Sequence, residues 1–146
     1  MAKTDKQLET VPTVSYVAWA QAAAATAGSL YFSEIAGFLP CLLCWYQRIA
    51  LYPLVIVLGV GILRKERKLY QYVLPFTIIG GLIALYHVLL YYGVFAESEQ
   101  TCRAGVSCTT EYIKYFGFVT IPLLSFLAFS LITTCMIVLY RKERSE

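Results

Sequence analysis

Long uncharged stretches alternate with short charged ones along this chain. Residues 14–33, 39–63, 69–96 and 115–140 contain no Asp, Glu, Lys or Arg apart from Arg48. A helix needs about 20 apolar residues to cross the hydrocarbon core of a bilayer. Backbone polar groups find no water there, so each stretch predicts a spanning helix, whose hydrogen bonds are internal. The predicted fold is an all-α integral membrane protein, a single four-helix transmembrane bundle over residues 1–146, with spans at roughly 14–33, 41–63, 69–95 and 117–140. The residues left over are too few for a second domain, a nucleotide-binding fold or a nucleic-acid module.

Finer pattern inside the spans predicts how they pack. Ala20, Ala24 and Gly28 recur every fourth position, a small-residue stripe that would let a neighbouring helix approach closely. Pro40 is expected in the first turn of the second span, where a missing N–H has no helical partner to lose. Pro53 lies deep in the same span and is expected to kink it, while Pro75 and Pro122 read as residues that start the third and fourth helices. Between those two helices runs a loop, residues 97–114, polar at first and then carrying Cys102 and Cys108. Around Glu111 and Lys114, the apolar Tyr112, Ile113, Tyr115 and Phe116 fit a short helix lying in the membrane interface. They fit equally an aromatic belt at the start of the fourth span.

Composition agrees, with 59% hydrophobic and only 14% charged residues, against about 25% charged in a soluble domain. The net charge of +3 could suggest an acidic partner, but the placement of the charges is more telling. Lys3 and Lys6, then Arg64, Lys65, Arg67 and Lys68, then Arg141, Lys142 and Arg144 all fall on one side of the predicted spans, and only Arg103 and Lys114 fall on the other. Basic residues collect on the cytoplasmic side, which predicts that both termini are cytoplasmic. The small residues of Ala18 to Ala27 resemble a signal-processing region. The length of the span and the balanced charge before it (Lys3 and Lys6 against Asp5 and Glu9) favour a retained helix.

That orientation places Cys41, Cys44, Cys102 and Cys108 outside, where disulfides are permitted. Cys135, deep in the fourth span, reads as a small hydrophobe. Cys41-Leu42-Leu43-Cys44 is a C-x-x-C at the outer mouth of the second helix, a spacing that serves zinc, a structural disulfide or a reactive thiol pair. Zinc would need Cys102 and Cys108 as further ligands, and no polar loop encloses the position, so no metal is expected. Thiols at a helix start favour the reactive reading, because the N-terminus and nearby cations stabilise thiolate.

Arg48 is the only charge inside the four apolar stretches and lies one turn after Cys44, on the same helix face. An arginine at such a position marks a functional candidate, although its stem is long enough to carry the charge to the interface. The functional reading gives it two tasks, stabilising the Cys44 thiolate and donating hydrogen bonds to an acceptor's oxygen. Gln47 offers an amide on nearly the same side. His87, the only histidine, lies in the third span among tyrosines, either as a hydrogen-bonded bundle residue or as a proton carrier beside the same oxygen.

Pro40-Cys41-Leu42-Leu43-Cys44-Trp45-Tyr46-Gln47-Arg48, followed by Tyr52-Pro53, resembles the DsbB family of membrane thiol oxidases, in particular its short BdbC-like branch. Four spans, a C-x-x-C opening the second and a cysteine pair before the fourth extend the resemblance over nearly the whole chain. It implies a thiol:quinone oxidoreductase of the bacterial cytoplasmic membrane that regenerates a thioredoxin-like extracytoplasmic thiol oxidase (DsbA/BdbD-like). Electrons would pass from Cys102/Cys108 to Cys41/Cys44 and then to a membrane quinone, menaquinone or ubiquinone, beside Cys44, Arg48, Gln47 and His87. Partners are then that oxidase and the lipid bilayer, with no nucleic acid. Two departures stand out. Only five residues separate the loop cysteines, fewer than in the well-known proteobacterial members, and Gln47 stands where those members carry an acid, so no carboxylate role transfers.

Similar parts would serve a quinone or quinone-epoxide reductase of the vitamin K epoxide reductase type, driven by dithiols, but in those proteins the C-x-x-C opens a late helix. A non-enzymatic membrane adaptor with structural disulfides is the third reading. Alkylation of the outer thiols would leave an adaptor unaffected.

Overall fold

The computed structural model describes residues 2–95 and 120–145, with side chains from residue 13 onward. Four α-helices make up most of these residues: α1, Ala2–Leu30; α2, Leu42–Leu63; α3, Leu69–Tyr91; and α4, Ile121–Arg144. There is no strand among the described residues. The chain leaves α1 through a π-helical turn, Tyr31–Ile35. Of the described helices, α2, α3 and α4 are long and apolar enough to cross a membrane. α1 starts well before the apolar stretch at residue 14, since the Lys, Gln and Glu of its first turns are good helix formers.

The helices close a ring in chain order, with α2 against α1 and α3, and α4 against α3 and α1. The core is built from helical spacings: Ala18 and Ala22 on α1, Leu54 and Leu58 on α2, Val73 and Ala84 on α3, and Phe129, Ile132 and Met136 on α4. The outward faces are apolar too, with Ile56, Leu63, Ile79 and Leu82 all exposed, as expected where lipid is the solvent. Close approach of α3 and α4 depends on Gly80, because a Cβ there would collide with the Phe129 ring. Trp19 ties α1 to α2 by donating its indole N–H to the carbonyl of Val55 at 3.1 Å. Gly59, one turn on, leaves the space, as its Cβ would stand 3.2 Å from that indole nitrogen.

The C-terminal ends of α2 and α3 follow capping rules. At the end of α2, Lys65 N–H bonds Ile62 O and Glu66 N–H bonds Gly61 O at 2.9 Å, the Schellman pattern. Lys65 takes the left-handed position there with φ 52°, an uncommon role for a lysine. α3 ends in the same pattern with Gly93 at φ 76° and Val94 N–H on Leu89 O. That glycine stops the helix at Tyr91, short of the expected end at residue 95.

Other expectations need correction. Ala20 and Ala24 are exposed and Gly28 has no neighbour where a Cβ would be. The buried small residues of α1 are Ala18 and Ala22 instead, because the helix turns a different face inward. Pro40 precedes the first helical residue of α2 by two positions, and Cys41 between them is the N-cap. Pro53 is inside α2 as read from the sequence. Pro75 is the seventh residue of α3 and starts nothing, whereas Pro122 does sit in the first turn of α4. α4 runs past residue 140 to Arg144, its last-turn basic residues complementing the helix dipole. The interfacial helix expected around residues 109–116 lies outside the described residues.

Candidate thiol redox site

Cys41 is the N-cap of α2, with extended backbone (φ −71°, ψ 171°), and its sulfur accepts the N–H of Cys44 at 3.4 Å. An N-cap side chain takes up the N–H two or three residues on, so C-x-x-C is the spacing that puts the second cysteine over the cap. The two sulfurs consequently lie 2.9 Å apart, in hydrogen-bond contact. Cys41 is buried and Cys44 half-buried. Leu43 and Leu90 pack around them in a small apolar cluster of their own.

His87 reaches this pair from α3. Its Nε2 lies 3.8 Å from the Cys41 sulfur, and its Nδ1 lies 3.0 Å from the side-chain nitrogen of Gln47. Gln47 and His87 are both nearly fully buried, at 5% and 2% exposure. Gln47, at the sixth residue of α2, therefore faces His87. The arrangement is a chain from the Gln47 amide through the imidazole to Cys41.

Arg48 turns toward α1. Its Nη2 donates to the backbone carbonyl of Ser29 at 3.1 Å, and its guanidinium carbon stands 5.7 Å from the centre of the Trp45 ring, within cation–π range. The Tyr52 hydroxyl, one turn on, donates to Ser29 Oγ at 3.4 Å. Among the described residues Arg48 makes no hydrogen bond to Cys44. The two side chains instead share a wall of a cavity of about 350 Å³. Cys41, Gln47 and His87 line it too, together with apolar residues such as Phe32, Phe38 and Leu51, and α4 contributes Ile121, Ser125 and Ala128.

Of the expected site residues, Cys41, Cys44, Gln47, Arg48 and His87 are thus brought to one cavity. Cys102 and Cys108 lie outside the described residues. Cys135 is buried in the main core beside Ile132 and Met136, the place of a small hydrophobe. Ser29 and Tyr52 were not singled out as binding residues by the sequence. Ser29 acts through its backbone carbonyl, which no side-chain pattern reports. The donor atoms of Cys41, Cys44 and His87 lie within 4.8 Å of one another, close enough to share an ion. A structural zinc site takes four ligands, and this group offers three among the described residues.

Apolar helices and a helix-capping thiol pair beside a buried histidine define a membrane thiol redox protein. The family model for disulfide bond formation protein DsbB matches residues 12–139, and the chain belongs to that family. It is 46% identical over 131 residues to disulfide bond formation protein C of Bacillus subtilis, covering 90% of this chain and 94% of the relative. It is 44% identical over 129 residues to probable disulfide formation protein C 1 of Bacillus anthracis (88% and 92% covered). To a probable disulfide formation protein of Oceanobacillus iheyensis it is 39% identical over 126 residues (86% and 87%). No solved structure matches the chain. Membership makes it a disulfide-forming oxidoreductase of the membrane.

Proposed function

We propose that this protein is a quinone-linked thiol oxidase that reoxidises a thioredoxin-like extracytoplasmic oxidase. In this reading residues 1–146 form one membrane domain in which α1 is a fourth span, both termini are cytoplasmic and the cysteine pairs face outward from the bacterial cytoplasmic membrane. The observation that carries it is the meeting of Cys44 and Arg48 on one largely apolar cavity beside the helix-capped Cys41. Its volume of about 350 Å³ is in the range of small-molecule sites.

The wall chemistry fits a menaquinone or ubiquinone. Phe32, Phe38 and Leu51 suit an apolar ring and tail, and Arg48 supplies donors for a carbonyl oxygen. A bound quinone would take up two electrons and two protons. The protein's own part is thiol–disulfide exchange. A thiolate of the reduced partner attacks the Cys102–Cys108 disulfide, and the partner leaves oxidised. The loop dithiol then reduces Cys41–Cys44 in the same way. The α2 N-terminus stabilises the Cys41 thiolate through the Cys44 N–H. Cys44, half-buried on the cavity wall, is the sulfur from which the electron pair departs, and the disulfide Cys41–Cys44 is restored.

Replacing Cys102 or Cys108 with alanine tests this order. Oxidation of the thioredoxin-like partner should stop, while a small dithiol should still reduce Cys41–Cys44 and, through it, quinone. Partner oxidation at the wild-type rate in either variant would make the loop pair structural and end the relay.

A further inference from the structure

Gln47 and His87 lie beside the reactive pair, yet thiol exchange as derived above uses neither. With the Gln47 amide oriented as it stands in the structure, their contact sets a chemical state. The group of Gln47 facing the ring is the amide nitrogen, 3.0 Å from His87 Nδ1. An amide NH₂ only donates, so Nδ1 accepts and carries no proton. The neutral ring then holds its proton on Nε2, the atom 3.8 Å from the Cys41 sulfur.

We propose that Gln47 is a positioning residue that locks His87 in its Nε2–H form, making the histidine a hydrogen-bond donor to the Cys41 thiolate. His87 in this role is no base: Cys41 departs from the exchange as a thiolate, and the imidazole keeps its own proton. Two donors then converge on Cys41, the Cys44 backbone N–H and His87 Nε2–H. Burial of Gln47 and His87 at 5% and 2% exposure keeps competing water from the contact and holds the tautomer. Among the described residues, the other titratable or charged groups on the cavity wall are Cys44 and Arg48, both from α2; α1 and α4 contribute none there. The opposite amide orientation, with the Gln47 oxygen on Nδ1–H, would expose a lone pair at Nε2 and make His87 a base. Which orientation holds decides how the thiolate forms.

This inference rests on the proposed role of Cys41 in exchange, and its test reads thiolate chemistry without any quinone. In the full-length protein in lipid nanodiscs, with Cys44, Cys102, Cys108 and Cys135 replaced by alanine, the iodoacetamide alkylation rate of Cys41 is measured from pH 5 to 10. The parent should give a single thiol inflection with no second one near neutrality. His87→Gln places an amide donor where Nε2–H stood and should keep the rate at pH 7 within about threefold, whereas His87→Ala should lower it roughly tenfold and raise the midpoint by about one pH unit. Gln47→Glu puts an acceptor on Nδ1, favours imidazolium and should add a histidine inflection absent from the parent. The proposal is overturned if His87→Gln reacts as slowly as His87→Ala, if the parent already shows the histidine inflection, or if His87→Ala changes nothing. Should His87→Ala fail to assemble, the parent, His87→Gln and Gln47→Glu profiles still decide. Failed quinone reduction alongside this alkylation pattern would instead overturn the functional reading and leave the tautomer standing.

Discussion

Arg48 carries the largest cost of any residue in the apolar stretches, and its surroundings show how that cost is met. One guanidinium N–H is bound by the Ser29 carbonyl and one face lies near Trp45. A guanidinium has five N–H donors, so the cavity wall retains capacity to bind an oxygen. A hydrogen bond to a charged group is worth about 1.5–3 kcal/mol, so Arg48→Ala should raise the apparent KM for quinone by roughly one to two decades. Arg48→Lys should recover little, because an ammonium lacks the planar fork. Steady-state quinone titration at saturating partner measures both. An unchanged KM in both variants would leave Arg48 with only its tether to α1. At this scale the candidate residues that line the cavity were legible because identity and spacing mark them: C-x-x-C at a helix start, and a charge where none belongs. The Gln47–His87 contact was not, because it joins residues 40 positions apart and depends on how α2 and α3 are rotated. Sequence placed the Gln47 amide beside Arg48, while packing turned it toward α3.

The helices themselves were legible as uncharged runs, since in lipid the hydropathy pattern and the span coincide. Their ends and facings were less so. Gly93 stops α3 in a Schellman turn, and an apolar count does not register that. The Ala20, Ala24 and Gly28 stripe suggested an interface, yet α1 buries Ala18 and Ala22, because several faces of that helix carry small residues and only packing selects one. Gly80 was not singled out, although α3 and α4 meet there over Phe129. Gly80→Val should force the two helices apart and destabilise the fold by about 1–3 kcal/mol. A lowered midpoint of thermal unfolding in detergent should report it, and Gly80→Val combined with Phe129→Ala should regain part of the loss. An unchanged midpoint in Gly80→Val would show that the contact does not hold the bundle.

Across the whole molecule, the ring of helices separates two ends. The cavity is lined by the last turns of α1, the start of α2, His87 near the end of α3 and the start of α4. The exposed basic turn from Arg64 to Lys68 and the basic last turn of α4 lie at the opposite helix ends. In the proposed orientation, with basic residues cytoplasmic, the thiol site would face outward. Tags at either terminus should therefore be protected from a membrane-impermeant reagent in intact cells, and Cys102 and Cys108, once reduced, should be labelled. Labelling of the termini from outside would invert the orientation.

In the proposed function, electrons drawn from a dithiol protein leave through a quinone at the cavity beside Cys44 and Arg48. Anaerobic stopped-flow absorbance tests it most directly, mixing the purified protein and quinone with a reduced thioredoxin-like oxidase. One quinol should form for each partner disulfide, at a rate that collapses when Cys44 is replaced by alanine. Partner oxidation without stoichiometric quinol, or quinol formation that survives loss of Cys44, would contradict it.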